Sequence, residues 1–275
     1  MKLQALNFDR PDNLQASESP EARGLARDEV RLLVTTPEGN THAIFRDLPQ
    51  FLESGDLVVV NESATLPASI PSEGEIGPFI VNLSTRYADN LWLAEPRWSA
   101  SRPGPLPLKP GARISIAGTP ARLMTPYTGL PRLWFMQIDG NIEDAIACCG
   151  TPIRYGYVDG EYPISDYQTV FSSVPGSAEM PSASRPFTQR TLDDLKARGV
   201  ETASILLHTG VSSMEMESDD IEDEVMYAEP FEVPEATANA VNRALESAWD
   251  GDGISPTSGF TKLYIHPARG VNVVD

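Results

Sequence analysis

Only two of the 275 residues are cysteine and only three are histidine. The two cysteines, Cys148 and Cys149, are neighbours. They therefore provide neither a disulfide framework nor the four spaced ligands of a structural zinc site. His42, His208 and His266 are far apart in sequence, and no H-E-x-x-H stretch or Cys/His cluster occurs, so a catalytic metal is not expected. No apolar run approaches the ~18 residues of a membrane span. The first residues, MKLQALNFDR, lack the apolar core of a secretory signal. A cytoplasmic protein with no membrane partner is the expectation. Glycine-rich phosphate signatures are missing too: there is no G-x-G-x-x-G after a strand and no Walker loop. A G-x-S-x-G elbow is also absent, which leaves a Ser-His-Asp hydrolase built on His208 without its usual nucleophile turn.

Positive charge is scarce. Lys and Arg total 21 against 39 Asp and Glu, for a net charge of −18. A chain this acidic is a poor general binder of nucleic acid, because phosphate needs a positive field. The charge is unevenly spread, however. Residues 96–138 carry six basic residues (Arg97, Arg102, Lys109, Arg113, Arg122 and Arg132) and no acidic one. Residues 191–252 carry sixteen acidic residues and three basic ones. Segments of opposite sign suit separate tasks.

The remaining composition, 41% hydrophobic and 22% charged, is that of a folded globular chain. VRLLV (30–34) and HAIF (42–45) flank a turn and predict a hairpin. RDLPQFLESGD (46–56) predicts a short amphipathic helix closed by Gly55, and LVVVN (57–61) a buried strand. From about 76 to 138, five short apolar runs alternate with Pro and Gly turns: PFIVNL, NLWLAEP, ARISIAG, ARLMTP and RLWFMQI. Such spacing predicts a small β-barrel or sandwich. IEDAIACCG (142–150) reads as a helix stopped by Gly150, with the cysteine pair as packing. Helices at 190–200, ending at Gly199, and at 234–249, and strands at 202–211 and 260–267, return the chain to mixed α and β. EMESDDIEDE (215–224), with seven acidic residues in ten, reads as exposed loop. The fold class is a mixed α/β (α+β) discontinuous body, residues 1–66 and 151–275, with an inserted β-barrel at 67–150.

The most unusual stretch is 166–188, DYQTVFSSVPGSAEMPSASRPFT. Its small and hydroxyl residues offer backbone N–H groups and hydroxyls at close range to a ligand. Glu179 is the one carboxylate between 167 and 186. It could serve as a base or hold a cationic group. A structured loop without a ligand is the competing reading. His208 ends a buried strand, a common place for a site residue, and equally a place for a structural histidine. Glu229 and Glu232 precede a helix and suit its dipole.

Taken together, several segments resemble the S-adenosylmethionine:tRNA ribosyltransferase-isomerase family of queuosine biosynthesis, in its actinobacterial-type branch. They are SPEARGLARDEVRLLV (19–34), FRDLPQFLESGDLVVVNES (45–63), IRYGYVDGEYPISDYQTVFSSVPGSAEMPSASRPFT (153–188), ILLHTGVSS (205–213), MYAEPFEVP (226–234) and GFTKLYIHP (259–267). They are collinear and cover nearly the whole chain. The combination YQT…GSAEMPSA…FT…LHTG is far more specific than a short pattern.

The resemblance implies transfer and isomerisation of the ribosyl group of S-adenosylmethionine onto the aminomethyl group of a deazaguanine at a tRNA wobble position. Epoxyqueuosine in the tRNA would form, with adenine and methionine released. S-adenosylmethionine is then a co-substrate; no other cofactor and no metal are implied, and a monomer is expected. Glu179, His208 and Thr209 would be catalytic. Tyr167, Gln168 and Thr169 would line the base or ribose pocket, and Gly176, Ser177, Pro181, Ser182 and Ala183 the central loop, closed by Phe187 and Thr188. Asp28, Arg31 and Asn61 match early motifs, and Glu229 and Arg243 later ones. Arg97, Arg102, Lys109, Arg113, Arg122 and Arg132, with Arg154, Arg185 and Arg190, would contact tRNA phosphates.

The chain also departs from the family pattern. The family follows the 226–242 region with a glycine-containing strand and a G-T-T-x-V-R-A-L-E stretch. Here Asn242 runs directly into RALES (243–247). The tail after the final strand is missing as well, and Tyr227 stands where many members have histidine. A non-catalytic tRNA- or nucleoside-binding relative is the alternative, and an unrelated hydrolase using His208 a third reading.

Overall fold

The computed structural model describes residues 2–6, 8–9, 11, 16–154, 156–158, 160–211 and 219–247. After 3₁₀ turns at Leu3–Leu6 and Arg27–Glu29, the first two strands form a hairpin, β1 (Arg31–Thr36) against β2 (Gly39–Ile44), as the paired apolar runs predict. The expected α-helix at 46–56 is instead a 3₁₀ helix over Phe45–Phe51. Pro49 lies inside it, and a proline has no N–H to give and crowds the carbonyl four residues back, so the tighter helix wins. Gly55, at φ +98°, then turns the chain into β3 (Leu57–Asn61) and β4 (Ser63–Thr65).

Six strands close a barrel: β5 (Ser69–Gly74), β6 (Gly77–Ala88), β7 (Leu91–Arg97), β8 (Arg113–Ile116), β9 (Thr119–Tyr127) and β10 (Leu130–Ile138). Every pairing between them is antiparallel, in the order β10-β7-β6-β5-β8-β9. The five predicted runs are all strands. β5, with the sequence SIPSEG, was hidden by Pro71. The Pro71 carbonyl accepts from Ala117 N at 2.9 Å, just past the end of β8, so the ladder loses only a terminal donor there. Alternation sends Ile70, Leu83, Ile116, Leu123 and Met136 inward, all fully buried.

The chain leaves the barrel through α1 (Ile142–Cys149), capped by Asn141. Gly150 follows, but not as a left-handed stop: its φ is −72°. Glycine is required there by a close approach, since a Cβ would lie 2.2 Å from the Pro67 carbonyl oxygen. The cysteine pair is not core packing. Cys148 and Cys149 are exposed and their sulfurs are joined to each other, while Ile142 and Ala145 form the buried face of α1.

The body is completed by β11 (Val174–Ser177), α2 (Gln189–Ala197), β12 (Glu201–Leu207), β13 (Phe231–Glu232) and α3 (Glu235–Ser247). β12 runs parallel to β3, with Ile205 opposite Asn61, and β11 runs parallel to β4. Gly199, at φ +80°, closes α2 as expected. Leu57, Val59, Ile205 and Leu207 form an apolar face that α3 covers with Ala240, Val241 and Ala244. α3 runs unbroken through Asn242 and Arg243, so the junction noted in the sequence lies inside one helix. Of the acidic stretch, 219–224 is described and is not wholly exposed loop: Ile221–Asp223 is a 3₁₀ turn and half-buried Asp220 pairs with Lys2. The strand expected at 260–267, with His266, lies outside the described residues.

Candidate active site

A cavity of about 900 Å³ lies between the barrel and the body. The barrel wall contributes Arg97, Ser101, Gly104 and Arg132, and the body wall Tyr167, Glu179, Met180, Ser182 and Arg185. Ser17–Pro20, with Ile153, Arg154, Gly156, Tyr157 and Val158, complete it. That size suits one small molecule of nucleoside dimensions.

Glu179 reaches the cavity because β11 ends beside the strand end of β12. Ala178 N donates to Thr209 O at 2.7 Å, and Thr209 Oγ1 donates to Glu179 O at 2.6 Å. Both residues are buried, Glu179 at 3% exposure and Thr209 at 0%. The central loop and the 208–210 turn are thus stapled together through backbone groups. Thr209 acts on Glu179 through that backbone bond.

His208 is half-buried and is not on the cavity wall. Its Nδ1 lies 2.7 Å from Ser63 Oγ, and Ser63 Oγ lies 2.6 Å from Ser177 Oγ. Thr209 N donates to Ser177 Oγ at 3.1 Å. A Cβ on Gly176 would lie 2.3 Å from the His208 ring, so only glycine lets the imidazole rest there. Burial lowers the His208 pKa below its usual value and keeps the ring neutral at neutral pH. Ser63 is fully buried, out of reach of any substrate. The hydrolase reading of His208 therefore has no usable nucleophile.

A second cluster faces the barrel. Gly210 N donates to Glu229 at 2.6 Å, Val211 N to Ser84 Oγ at 2.9 Å, and Ser84 Oγ to the Tyr227 hydroxyl at 3.4 Å. Burial raises the Glu229 pKa, offset in part by the Gly210 bond. Burial also raises that of Tyr227, with Glu229, Glu179 and Glu95 adding to the effect while the Ser84 bond opposes it. Tyr167, on the cavity wall, is raised chiefly by burial.

Several expected ligand residues instead hold the backbone. Gln168 accepts from Thr65 N at 2.9 Å and donates to Thr65 O at 2.8 Å. Asn61 donates to Leu207 O at 2.7 Å and accepts from Leu207 N and Ser63 N, both at 3.0 Å. Buried Asp28 pairs with Arg46 at 2.9 Å and accepts from Thr188, the N-cap of α2, at 3.2 Å. Thr169 accepts from Phe171 N at 3.2 Å, and Phe187 packs edge-on against Phe45 and Phe171. Pro181 is buried beside the 3₁₀ turn Ser182–Ser184 that carries Ala183. Arg31 is exposed on the hairpin, and Arg243 is exposed on α3, 4.0 Å from Glu201. None of these is on the cavity wall except Ser182.

The cations divide into two sets. Lys109, Arg113 and Arg190 are exposed, with Arg122 half-buried opposite Arg113 in the β8–β9 register. Arg102 is exposed and stacks on Trp98 with its guanidinium 5.1 Å from the ring. Arg97, Arg132, Arg154 and Arg185 line the cavity. Arg185 donates to Asp166 O and to Glu21, both at 2.8 Å, and Arg154 donates to Gly160 O at 2.6 Å. Arg97 and Arg132 bond Glu95, a fully buried carboxylate in β7 outside the expected set of site residues. Its signal was a lone acid in the apolar run NLWLAEP. Ser63 and Ser84 carried no signal in sequence.

Among the described residues, no group of three His, Cys, Asp or Glu could hold a metal ion, and no helix is long and apolar enough to cross a membrane. A family model described as "Queuosine biosynthesis protein" matches residues 3–275. The S-adenosylmethionine:tRNA ribosyltransferase-isomerase of Thermus thermophilus is 31% identical over 300 residues, spanning 99% of this chain and 85% of the relative. That of Anaeromyxobacter sp. Fw109-5 is 30% identical over 305 residues, spanning 100% and 85%. The crystal structure of an S-adenosylmethionine tRNA ribosyltransferase from Thermotoga maritima is 20% identical with a TM-score of 0.35, over 88% of this chain and 65% of that one. The chain thus spans just under two thirds of that solved protein. With the family model matching residues 3–275 and these relatives 30–31% identical over nearly the whole chain, this chain belongs to the queuosine biosynthesis protein family.

Proposed function

We propose that this chain is an S-adenosylmethionine:tRNA ribosyltransferase-isomerase. It moves the ribosyl group of S-adenosylmethionine onto the aminomethyl-deazaguanine at a tRNA wobble position, giving epoxyqueuosine and releasing adenine and methionine. The observation that carries this reading is the near-complete match to relatives of that name, at 30–31% identity over 99–100% of the chain. The cavity supports it physically. A sulfonium is a fixed cation, and the buried carboxylate of Glu179 and the ring of Tyr167 both suit one. The attacking amine must be neutral, which a water-poor wall favours.

In this reading residues 67–150 are an inserted domain on a body of 1–66 and 151–275. His208 is a positioning residue that fixes the 208–210 turn, and through Thr209 the Glu179 backbone. The exposed cations Arg102, Lys109, Arg113 and Arg190, with half-buried Arg122, contact tRNA phosphates, with the reaction in the cytoplasm and a single chain as the working unit. Adenine release from S-adenosylmethionine, followed by liquid chromatography, tests the reading. Release only with tRNA bearing the aminomethyl base is expected. S-adenosylmethionine binding without release would instead fit a binding relative.

A further inference from the structure

Cys148 and Cys149 are the only cysteines of the chain, and the ribosyl transfer just described leaves them unused. Both are exposed at the last two positions of α1, and their sulfurs are joined to each other. They stand where the chain returns from the barrel to the body. The outward crossing lies at 66–69: Leu66 N donates to Ser177 O of the body at 2.8 Å, and Ala68 already belongs to the barrel core. The return crossing, at 150–153, runs beside it. Thr151 N donates to Ser69 O and Ser69 N to Thr151 O, both at 2.9 Å. Gly150 N donates to Ile146 O at 3.1 Å, and a Cβ on Gly150 would lie 2.2 Å from the Pro67 carbonyl oxygen. Ile153 and Arg154, just past the crossing, line the cavity.

Each sulfur is open to a co-reactant from solvent and has the other within bonding reach, which is what thiol–disulfide exchange requires. We propose that Cys148 and Cys149 are a reversible dithiol–disulfide site whose co-reactant is a low-molecular-weight disulfide such as oxidised glutathione, and that closing it stiffens the return crossing. One cysteine thiolate attacks the small disulfide, forming a mixed disulfide and releasing one small thiol. The neighbouring thiolate then attacks the protein sulfur of that bond, closes the Cys148–Cys149 bond and releases the second. Two protein thiols are oxidised and one small disulfide is reduced to two thiols, so electrons and protons balance. The second attack runs between neighbours on one chain, and it outpaces capture of another small disulfide. In the reducing compartment proposed above, the pair rests open and closes when the small disulfide rises; the structure shows the closed form. Closure ties ψ of Cys148 to φ of Cys149, directly before Gly150. Gly150 is packed against the Pro67 and Ile146 carbonyls. The ring therefore acts by restricting the opened forms of the crossing rather than by adding a contact.

Equilibrating the full chain in mixtures of reduced and oxidised glutathione, quenching with iodoacetamide and weighing the intact protein tests the site. The chain has no other cysteine, so each species is identified by its mass. Wild type should pass from two alkylated thiols to none as oxidised glutathione rises, and return when dithiothreitol is added. Cys148→Ser and Cys149→Ser should each stop at one bound glutathione. Glutathione accumulating on wild type, a disulfide-linked pair of chains, or two thiols that stay free at every ratio would overturn the proposal. Hydrogen exchange on the same two forms tests the coupling. The loop-closure entropy of a two-residue ring predicts that the Gly150 and Thr151 amides exchange about five- to tenfold more slowly in the closed form. Equal rates with the bond shown closed would overturn the stiffening. Cys148→Ser cannot close and should exchange at one rate in both buffers; a difference there would trace the effect to the buffer and overturn the coupling as well.

Discussion

Replacing Gly176 by alanine probes the contact on which the active-site layer rests. An alanine Cβ would lie 2.3 Å from both Nδ1 and Cε1 of His208 and 2.7 Å from its Cγ. Ordinary contact needs about 3.5 Å, so the ring must retreat by about 1 Å. That retreat breaks the 2.7 Å bond between Nδ1 and Ser63 Oγ. Overpacking of this kind costs about 1–3 kcal/mol, and a lost internal hydrogen bond adds about 1 kcal/mol. We expect Gly176→Ala to destabilise the protein by about 2–4 kcal/mol, a large share of a typical 5–15 kcal/mol. Urea unfolding followed by circular dichroism measures this, with a lower midpoint at unchanged slope. The cause is checked by a double-mutant cycle with His208→Ala. In that background the obstructing ring is gone, and the alanine should cost less than about 1 kcal/mol. An equal cost in both backgrounds, or none in wild type, would refute the packing argument.

Three further outcomes are expected. Glu95→Ala removes the fully buried carboxylate that Arg97 and Arg132 share, at a cost of about 3–5 kcal/mol in the same unfolding assay, whereas Arg190→Ala on the surface should change stability by less than about 0.5 kcal/mol. Gly150→Ala drives a Cβ to 2.2 Å from the Pro67 carbonyl and 2.6 Å from that of Ile146; both obstacles are backbone, so the thermal midpoint should fall further than for a typical surface change. The lowered His208 pKa means that the unfolded chain binds more protons than the folded one once pH falls through the usual histidine range. Stability from this group is therefore present above about pH 6.5 and lost below it; His208→Gln should flatten that part of the pH–stability curve, and an unchanged slope would remove the linkage.

How much of this was readable in advance differs between fold and site. The barrel strands announce themselves because short apolar runs between Pro and Gly turns survive in PFIVNL and RLWFMQI. SIPSEG did not, because Pro71 speaks against a strand unless its missing N–H falls beyond the neighbour's end. The same residue type at Pro49 turned an amphipathic pattern into a 3₁₀ helix. In the site, Glu179 stood out as an isolated acid among small residues, and it does reach the cavity. Gln168, Asn61 and Asp28 looked equally suited to a ligand. Their amides and carboxylate are instead consumed by Thr65, by Leu207 and Ser63, and by Arg46 and Thr188. Strand ends and loops buried against each other leave backbone groups that must find partners. Sequence gives the polar residue but not which of these two demands it meets. Arg97 and Arg132 show the converse: they sit in a basic run in sequence, yet Glu95 draws them out of the exposed set and into the cavity.

The most direct test of the central reading is the identity of the wobble nucleoside after the reaction. Purified chain, S-adenosylmethionine and tRNA carrying the aminomethyl-deazaguanine would be incubated, and the tRNA digested and analysed by mass spectrometry. The account predicts conversion of that nucleoside to epoxyqueuosine, dependent on S-adenosylmethionine and reduced by Glu179→Gln. An unmodified nucleoside at full protein concentration, with the chain shown to be folded, would contradict it.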